Sequence, residues 1–112
     1  MTCIFCKIVA KEISAEIIYE DDQVMAIKDV NPQAPVHALV IPKKHIENVL
    51  ELSNSTHLFQ HILDAVKDVA HTQQIDGSGF RLVTNTGENG GQTVKHLHFH
   101  VFGGRPMNWP PG

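Results

Sequence analysis

The chain has 112 residues, of which 42% are hydrophobic and 19% charged, and its formal net charge is −3 with neutral histidines. This length suits one domain, residues 1–112, with one core, and the negative charge disfavours nucleic acid as a partner, because its phosphates are neutralised by clustered Lys and Arg. The start lacks a basic and apolar signal segment and no apolar stretch is long enough for a membrane span, so we expect a cytoplasmic protein.

The first half of the chain predicts a short helix followed by three strands. The helix is expected over 5–10, and the strands over 17–19, 24–27 and 36–41. Residues 20–22 form the turn of a hairpin between the first two strands. Residues 31–35 contain two prolines and break regular structure before the third strand, which Pro42 closes.

The second half predicts one long helix and two more strands. Apolar residues recur at helical spacing from Leu58 to Ala70, after four residues that commonly cap helices, Ser53, Asn54, Ser55 and Thr56. Strands are expected over 80–85 and 94–102. Turns rather than helices separate most strands, so the pattern predicts an α+β fold: a five-stranded, mainly antiparallel sheet with one main helix and a short N-terminal helix.

Eight histidines are the unusual feature of the composition. His57 and His61 lie four positions apart on the long helix and could bind a metal, but the polar, solvated face of a helix is the favoured interpretation. We also interpret His71 as an ordinary surface residue. The remaining five histidines are candidates for chemistry.

His96, His98 and His100 alternate with Leu97 and Phe99. In a strand, alternate side chains share a face, so the three imidazoles would lie side by side with apolar residues behind them. Burying three unpaired titratable rings is costly, which disfavours a purely structural role. Metal binding and nucleophilic catalysis both remain open for this row.

A glycine-rich turn, residues 89–91, leads into the row and is followed by Gln92 and Thr93. Glycines such as Gly91 let backbone N–H groups approach an anion closely, and the two side chains add neutral donors. The turn therefore favours a phosphate ligand and, with it, a histidine nucleophile that forms a covalent intermediate at phosphorus. Neighbouring histidines, His96 among them, would protonate the leaving group or contact phosphoryl oxygens.

Cys3 and Cys6 have the spacing of metal ligands and are the only cysteines. A closed tetrahedral zinc site needs two further ligands, and the best remaining donors are His45 and His96. A redox pair would be expected between a strand and a helix, which this position does not offer. Two ordinary thiols are the other interpretation left open.

The run His96-Leu97-His98-Phe99-His100-Val101-Phe102 resembles the signature of the histidine triad family. Residues 29–35, His37 and residues 41–46 are similar to that family's other shared segment. The ending, residues 103–112, resembles the Hint branch, the purine nucleoside phosphoramidases. The Cys-x-x-Cys start is similar to that of bacterial members with a zinc site.

The resemblance implies a compact α+β fold, a homodimer, and hydrolysis of the P–N bond of purine nucleoside phosphoramidates to nucleoside monophosphates. His98 would be the nucleophile, and His100 and His37 would contact the phosphate or keep the nucleophile oriented. Asp29 would hold the ribose hydroxyls. Ile13, Ile27 and Val30 would line the base pocket, and hydrogen bonds to the phosphate or leaving group would come from Asn85, Gln92 and Thr93. Thr93 stands where serine is common in this branch.

Several alternatives stay open at this stage. Asp29 could simply start a turn, and His37 could be a satisfied histidine of the sheet. The chain could instead hydrolyse dinucleoside polyphosphates, or act as a nucleotide- or zinc-binding regulator whose catalysis is incidental. We expect no organic cofactor and no nucleic-acid or membrane partner.

Overall fold

The computed structural model describes residues 3–53 and 57–112. Its elements, in chain order, are helix α1 (Ile4–Val9), strands β1 (Ile17–Glu20), β2 (Val24–Lys28) and β3 (Val36–Pro42), a short 3-10 helix (Val49–Glu51), helix α2 (Leu58–Thr72), and strands β4 (Phe80–Thr84) and β5 (Phe99–Gly103). The predicted fold class is confirmed, and most predicted boundaries lie within one or two residues of those observed. No helix within the described ranges has the length and apolar character needed to cross a membrane.

The five strands form one sheet in the order β1-β2-β3-β5-β4, and all neighbouring pairs are antiparallel. The predicted hairpin is β1–β2, whose turn is fixed by Asp21: its Oδ1 accepts backbone N–H groups of Gln23 and Val24 at 2.7 and 2.8 Å. Strand β5 enters between β3 and β4, so the end of the histidine run reaches the interior of the sheet.

Helix α2 covers one face of the sheet. Its apolar residues recur every three or four positions, and Ile62, Ala65 and Val69 are completely buried. They pack with alternate residues of the strands and of the segment before β5, namely Val24, Ala26, Ala38, Val40, Leu97, Phe99 and Val101. This face therefore carries the larger core.

The start of α2 differs from the prediction. Its N-cap is His57, which has a left-handed backbone (φ 55°) and makes no side-chain cap hydrogen bond. The predicted cap at Ser53 is wrong, because Ser53 lies four residues before this position. The other predicted cap residues, 54–56, lie outside the described residues.

The opposite face carries α1 and a smaller core. Phe5 and Ile8 pack on strand residues that point away from α2: Met25, Ile27, Leu39 and Ile41. Helix α1 has six residues and α2 has fifteen, so α1 covers much less of its face. The candidate site lies on this less covered side.

The fifth strand is shorter than predicted, and the prediction is wrong for residues 94–98. The Leu97 N–H bonds the Ile46 carbonyl at 2.7 Å instead of a neighbouring strand, and β5 begins only at Phe99. Side chains still alternate between the two faces before β5 begins, because Leu97, Phe99 and Val101 all lie in the α2-side core. Of the three alternating histidines, only His100 lies within a strand.

Candidate functional site

A cavity of about 340 Å³ opens on the α1 side of the sheet. Much of its lining is apolar: Ile4, Phe5, Ile8, Ile13, Ala15, Ile27, Val30, Leu39 and Val94. The polar part is contributed by Ser14, Lys28, Asp29, Thr93, His98 and His100. An apolar pocket with a few converging polar groups is the usual form of a small-ligand site.

Seven residues that the sequence predicted to contact a nucleotide line this cavity together: Ile13, Ile27, Asp29, Val30, Thr93, His98 and His100. Asn85, Gly91 and Gln92 are not among the lining residues, and neither are His37 and His96. The structure thus brings together the nucleophile candidate and the residues expected to contact the base and the ribose. Gly91 of the glycine-rich turn, and Gln92 after it, lie outside the cavity lining.

His98 is fixed in one tautomer. Its ring is 6% exposed, and its Nδ1 lies 2.7 Å from the carbonyl oxygen of His96. A carbonyl only accepts, so Nδ1 carries the proton and Nε2 of the neutral ring keeps its lone pair. Phe5 packs edge-on against the ring, with centroids 5.0 Å apart. Nε2 of His98 is therefore held in place by contacts that other parts of the ring make.

His100 and His37 form a hydrogen-bonded pair beside His98. The ring centroids of His98 and His100 are 5.1 Å apart, and Nδ1 of His100 lies 2.9 Å from Nε2 of His37. The backbone N–H of Gln33 donates to Nδ1 of His37 at 3.0 Å. Neutral His37 must then donate from Nε2, which leaves the proton of neutral His100 on its own Nε2.

Both rings of this pair are held neutral at pH 7. The pKa of His100 is lowered to about 4, first by burial and then by the nearby His98 and His37, while Asp29 acts in the opposite direction. Burial likewise lowers the pKa of His37 against the opposing charge of Asp29. The Nε2–H of His100 is therefore a neutral donor available to a bound ligand.

Asp29 makes a turn contact and also lines the cavity. Its Oδ1 accepts the backbone N–H of Asn31 at 2.8 Å, which is a turn contact. Its Oδ2 lies 3.4 Å from Nε2 of His37, and the residue lines the cavity. A carboxylate has about four lone-pair sites, so acceptor capacity remains for a ligand hydroxyl.

Gln92 uses its side chain within the protein. Its Nε2 donates to the carbonyls of Glu47 and Val94 at 2.7 and 3.1 Å, and its Oε1 accepts the N–H of Gly87 at 3.0 Å. The amide therefore ties the glycine-rich turn to the chain before α2. Its position supports the turn rather than the cavity.

Asn85 holds the same turn from the other side, through a 2.7 Å hydrogen bond from its Nδ2 to the Gly90 carbonyl. Glycine is required here for two reasons: a Cβ at Gly90 would lie 2.3 Å from the Thr86 carbonyl oxygen, and Gly91 has φ +76°. Thr93, just beyond, is the residue of this segment that reaches the cavity.

Cys3, Cys6, His45 and His96 form a separate cluster, whose candidate ligand atoms all lie within 4.8 Å of one another. Nδ1 of His96 is 3.3 Å from Sγ of Cys3, 3.6 Å from Sγ of Cys6 and 3.1 Å from Nδ1 of His45. Sγ of Cys6 is 3.2 Å from Nδ1 of His45. All four metal ligands expected from the sequence are thus brought together.

The donor set fits a tetrahedral cation. Metal–sulfur bonds of about 2.3 Å and metal–nitrogen bonds of about 2.0 Å separate ligand atoms by roughly 3.3–3.8 Å, close to the observed distances. Nε2 of His96 lies 2.8 Å from the Pro42 carbonyl, so it carries the proton and Nδ1 presents its lone pair to the thiols. Outer-shell carbonyls commonly orient ligand histidines in this way.

A third group of side chains joins α2 to the β1–β2 turn. Nδ1 of His61 lies 3.0 Å from Oδ2 of Asp21, which also accepts the Tyr19 hydroxyl at 3.0 Å. Burial raises the pKa of Asp21, but hydrogen bonds from His61 and from backbone N–H groups outweigh it and bring that pKa to about 2. His61, predicted as a surface residue, is partly exposed and also bonds Asp21, whereas His57 and His71 are exposed.

Sequence reasoning missed the wall of the cavity that α1 supplies. Ile4, Phe5 and Ile8 line it, and Phe5 contacts the rings of both His96 and His98. The signal was present in the two apolar residues between the cysteines, because a chain bound at Cys3 and Cys6 must place the intervening side chains nearby.

Comparison with known proteins gives a consistent result. A model of the HIT domain family matches residues 10–107. A HIT-like protein of Synechocystis sp., described as uncharacterised, is 54% identical over 110 residues, which cover 97% of this chain and 96% of that protein.

Two solved structures are similar over nearly the whole chain. A HIT family hydrolase from Legionella pneumophila has a TM-score of 0.94 and 44% identity, covering 99% of this chain and 100% of the other. A HIT family hydrolase from Clostridium thermocellum has a TM-score of 0.92 and 49% identity, covering 96% and 94%.

Proposed function

Because the chain belongs to the HIT domain family and shares the fold of HIT family hydrolases, we propose that it cleaves the P–N bond of purine nucleoside phosphoramidates. The observation that carries the proposal is the state of His98. Its Nδ1 is occupied by the His96 carbonyl, its Nε2 keeps a lone pair, and the ring lines a largely apolar cavity. This is the arrangement that an imidazole nucleophile requires.

The reaction proceeds in two displacements. Nε2 of His98 attacks phosphorus and forms an N–P bond, while the bond from phosphorus to the leaving amine breaks with its electron pair on the amine nitrogen, which takes up a proton. Water then attacks the same phosphorus and loses a proton. The N–P bond to His98 breaks, its electron pair returns to Nε2, and a nucleoside monophosphate leaves.

His100 and His37 support both steps electrostatically. The Nε2–H of His100 donates to a phosphoryl oxygen, and His37 fixes that proton on the correct nitrogen by donating to Nδ1 of His100. A donor already oriented before the reaction stabilises developing charge without reorganisation. The lowered pKa values of both rings keep the His37–His100 pair neutral.

The cavity binds the nucleoside in this scheme. Ile13, Ile27 and Val30 contact the purine base, Asp29 accepts the ribose hydroxyls, and Thr93 donates to the phosphate. Ile13 and Val30 are 38% and 94% exposed, so a bound base would remove apolar surface from water. Asn85, Gly91 and Gln92 act by holding the turn that carries Thr93.

Intact mass measurement after brief mixing with an adenosine phosphoramidate tests the function and the nucleophile together. We expect a mass increase of one nucleotidyl group, absent from the His98→Ala and His98→Asn variants, which should still bind nucleoside monophosphate. Full turnover by either variant would refute the assignment. Rates on a diadenosine polyphosphate, measured alongside, separate the phosphoramidase from the related polyphosphate hydrolase, and nucleotide binding without turnover of either substrate would indicate a regulator.

We further propose that Cys3, Cys6, His45 and His96 hold a structural Zn²⁺ ion. Two thiolates and two imidazoles are a common zinc donor set, and four protein ligands leave no position for a reacting water. The ion would supply stability to this part of the fold rather than chemistry at phosphorus. Elemental analysis should give one zinc per chain, and a clear deficit after purification without chelators would remove this proposal.

A homodimer is the proposed assembly. Strand β4 is at the edge of the sheet, and its Phe80 and Leu82 are 42% and 38% exposed, as is 44% of Phe59 on α2. A strand at the sheet edge within the described residues, together with exposed apolar side chains on β4 and α2, suits pairing with a second copy through strand and helix. Sedimentation at micromolar concentration should give the mass of two chains, and the mass of one chain would contradict the proposal.

A further inference from the structure

His96 belongs to two sites at once. Its ring faces the thiols of Cys3 and Cys6 through Nδ1 and bonds the Pro42 carbonyl through Nε2. Its main-chain carbonyl accepts the Nδ1–H of His98 at 2.7 Å. The residue is completely buried, so its ring and backbone have little freedom to move separately. The ring that faces the Cys/His cluster and the carbonyl that orients His98 are therefore parts of one buried residue.

We propose that His96 is a positioning residue through which the cation held by the Cys/His cluster fixes the orientation and tautomer of His98. The inference rests on the proposed function, since it assigns a kinetic consequence to a cluster otherwise regarded as structural. Cation occupancy then controls the rate of attack on phosphorus, although no ligand of the cation touches the substrate.

The side-chain contacts of His96 matter for the backbone around this residue, because this segment lies before β5 and outside the sheet. Strand β5 begins at Phe99, and the segment before it is tied to the Ile46 carbonyl through the N–H of Leu97. The Leu97 N–H and the His96 carbonyl belong to one planar peptide unit, so this bond and the contacts of the His96 side chain together set the position of that carbonyl. A displacement of this carbonyl would release Nδ1–H of His98 and allow the other tautomer, whose Nε2 has no lone pair for attack.

Protons cannot replace the cation in the cluster. Nδ1 of His96 has one lone pair but faces Sγ of Cys3, Sγ of Cys6 and Nδ1 of His45, at 3.3, 3.6 and 3.1 Å. A thiol hydrogen bond satisfies one of these contacts, whereas a tetrahedral cation satisfies all of the donors simultaneously. Without the cation these contacts compete for the one lone pair of Nδ1, although Nε2 keeps its bond to the Pro42 carbonyl.

The same cluster holds the start of α1. Cys3 is its N-cap, and the Cys3 Sγ accepts the Cys6 N–H at 3.4 Å. Phe5, between the cysteines, contacts the His98 ring with centroids 5.0 Å apart. Loss of the cation therefore also loosens one wall of the cavity, and we expect this to weaken binding less than the loss of His98 orientation slows the chemical step.

The decisive variant is His45→Ala. His45 is exposed and does not line the cavity, so the change removes a ligand without touching nucleotide-binding groups. We expect loss of zinc and a fall in kcat of at least about tenfold, the size typical of lost outer-shell support at metal sites. KM should rise less than about threefold. His45→Cys, which restores four ligands, should recover both zinc and kcat, and His71→Ala, at an exposed histidine outside the site, is the matched control.

Nitrogen-15 NMR of the histidine rings gives a readout without substrate. In zinc-loaded wild-type protein, His98 should carry its proton on Nδ1 only, and in His45→Ala the signals should show both tautomers. Wild-type protein stripped by a chelator should behave like His45→Ala and recover when Zn²⁺ alone is added, which covers the case in which the variant fails to fold.

Three results would overturn the inference: zinc-free protein with kcat within about twofold of the loaded protein, His98 signals that do not respond to zinc, or a protein that binds no added Zn²⁺. The first of these results, accompanied by a lower melting temperature, would mean that the cluster is structural only. If loaded protein cleaves no phosphoramidate, the proposed function fails, and the NMR response still decides whether zinc orients His98.

Discussion

The two faces of the sheet differ in role: the α2 face carries the larger core, and the α1 face carries the candidate site. The α2 face is covered by a fifteen-residue helix and holds the larger core, whereas the α1 face is covered by six helical residues and a smaller core. The polar residues buried in the described part of the chain are three histidines, His37, His96 and His98, and all contact the α1 side. A small helix leaves room for a cavity, but it also leaves that helix dependent on local anchors.

Truncating the α2-side core should give the largest loss of stability. Ile62 is completely buried, so Ile62→Ala leaves a cavity and should lower the free energy of unfolding by about 2–5 kcal/mol. The rate constant kcat, measured well below the melting temperature, should stay within about twofold of wild type. Urea unfolding and steady-state kinetics check both statements, and a large fall in kcat would break the division between the faces.

On the α1 side, stability should depend on pH through His100. Its pKa is about 4 in the folded protein, against 6.5 for the free side chain, so the unfolded chain binds the proton more strongly between these values. Stability is therefore lost as the pH falls from about 6.5 to about 4, by roughly 2–3 kcal/mol for this group.

Urea unfolding at several pH values in this window tests that expectation, with His100→Gln as the comparison because glutamine does not titrate. Asp29, His37 and His98 surround the ring, and they remain in both proteins. The variant should show a flatter dependence on pH than wild type. Equal slopes would mean that His100 is not the group that senses acid on this face.

Sequence patterns predicted most of the fold because local periodicity and the observed packing agree. The apolar spacing from Leu58 to Ala70 gives α2, and alternation gives the strands. The prediction was wrong over 94–98, where contacts distant in sequence decide the backbone: the Ile46 carbonyl binds Leu97, and the Pro42 carbonyl binds the ring of His96. Alternation alone could not reveal that one of three similar histidines turns toward the cysteines.

The candidate site was predictable in its residue types but not in its hydrogen-bond states. The His-x-His spacing and the Cys-x-x-Cys pair indicated the two groups, yet His96 was expected in both. The tautomers of His37 and His98 depend on a backbone N–H at Gln33 and a carbonyl at His96, which no pattern specifies. Phe5 was missed because its apolar side chain gives no chemical signal of its own, and only its place between the two cysteines indicated its position.

A smaller effect is expected from Phe5→Leu, which removes a ring that contacts His98 and lines the cavity. Leucine keeps the position apolar, so stability should fall by less than about 1.5 kcal/mol. The Kd for adenosine monophosphate should rise by about threefold to tenfold. Phe59→Leu is the matched control on α2, where nucleotide affinity should not change, and equal effects of the two substitutions would remove the distinction between the faces.

The smallest effect concerns His61, whose pH response should oppose that of His100. The hydrogen bond to Asp21 raises the pKa of His61, and the ionised Asp21 has a pKa of about 2. The pair therefore contributes stability below about pH 6.5, and this contribution is lost as the pH rises through the raised pKa of His61. The melting temperature of wild type should exceed that of His61→Gln by more at about pH 5.5 than at about pH 8.5.

Measuring the same melting temperatures at several ionic strengths gives a second test of this ion pair. A partly exposed ion pair is still screened by salt, so the difference in melting temperature at the lower pH should shrink as ionic strength rises. His71→Gln, which replaces an exposed histidine that contacts Asp76, is the control for replacing a histidine elsewhere on α2. A difference for His61→Gln that grows with pH would mean that the ring acts as a neutral hydrogen-bond donor, and the two faces would then respond to acid in the same direction.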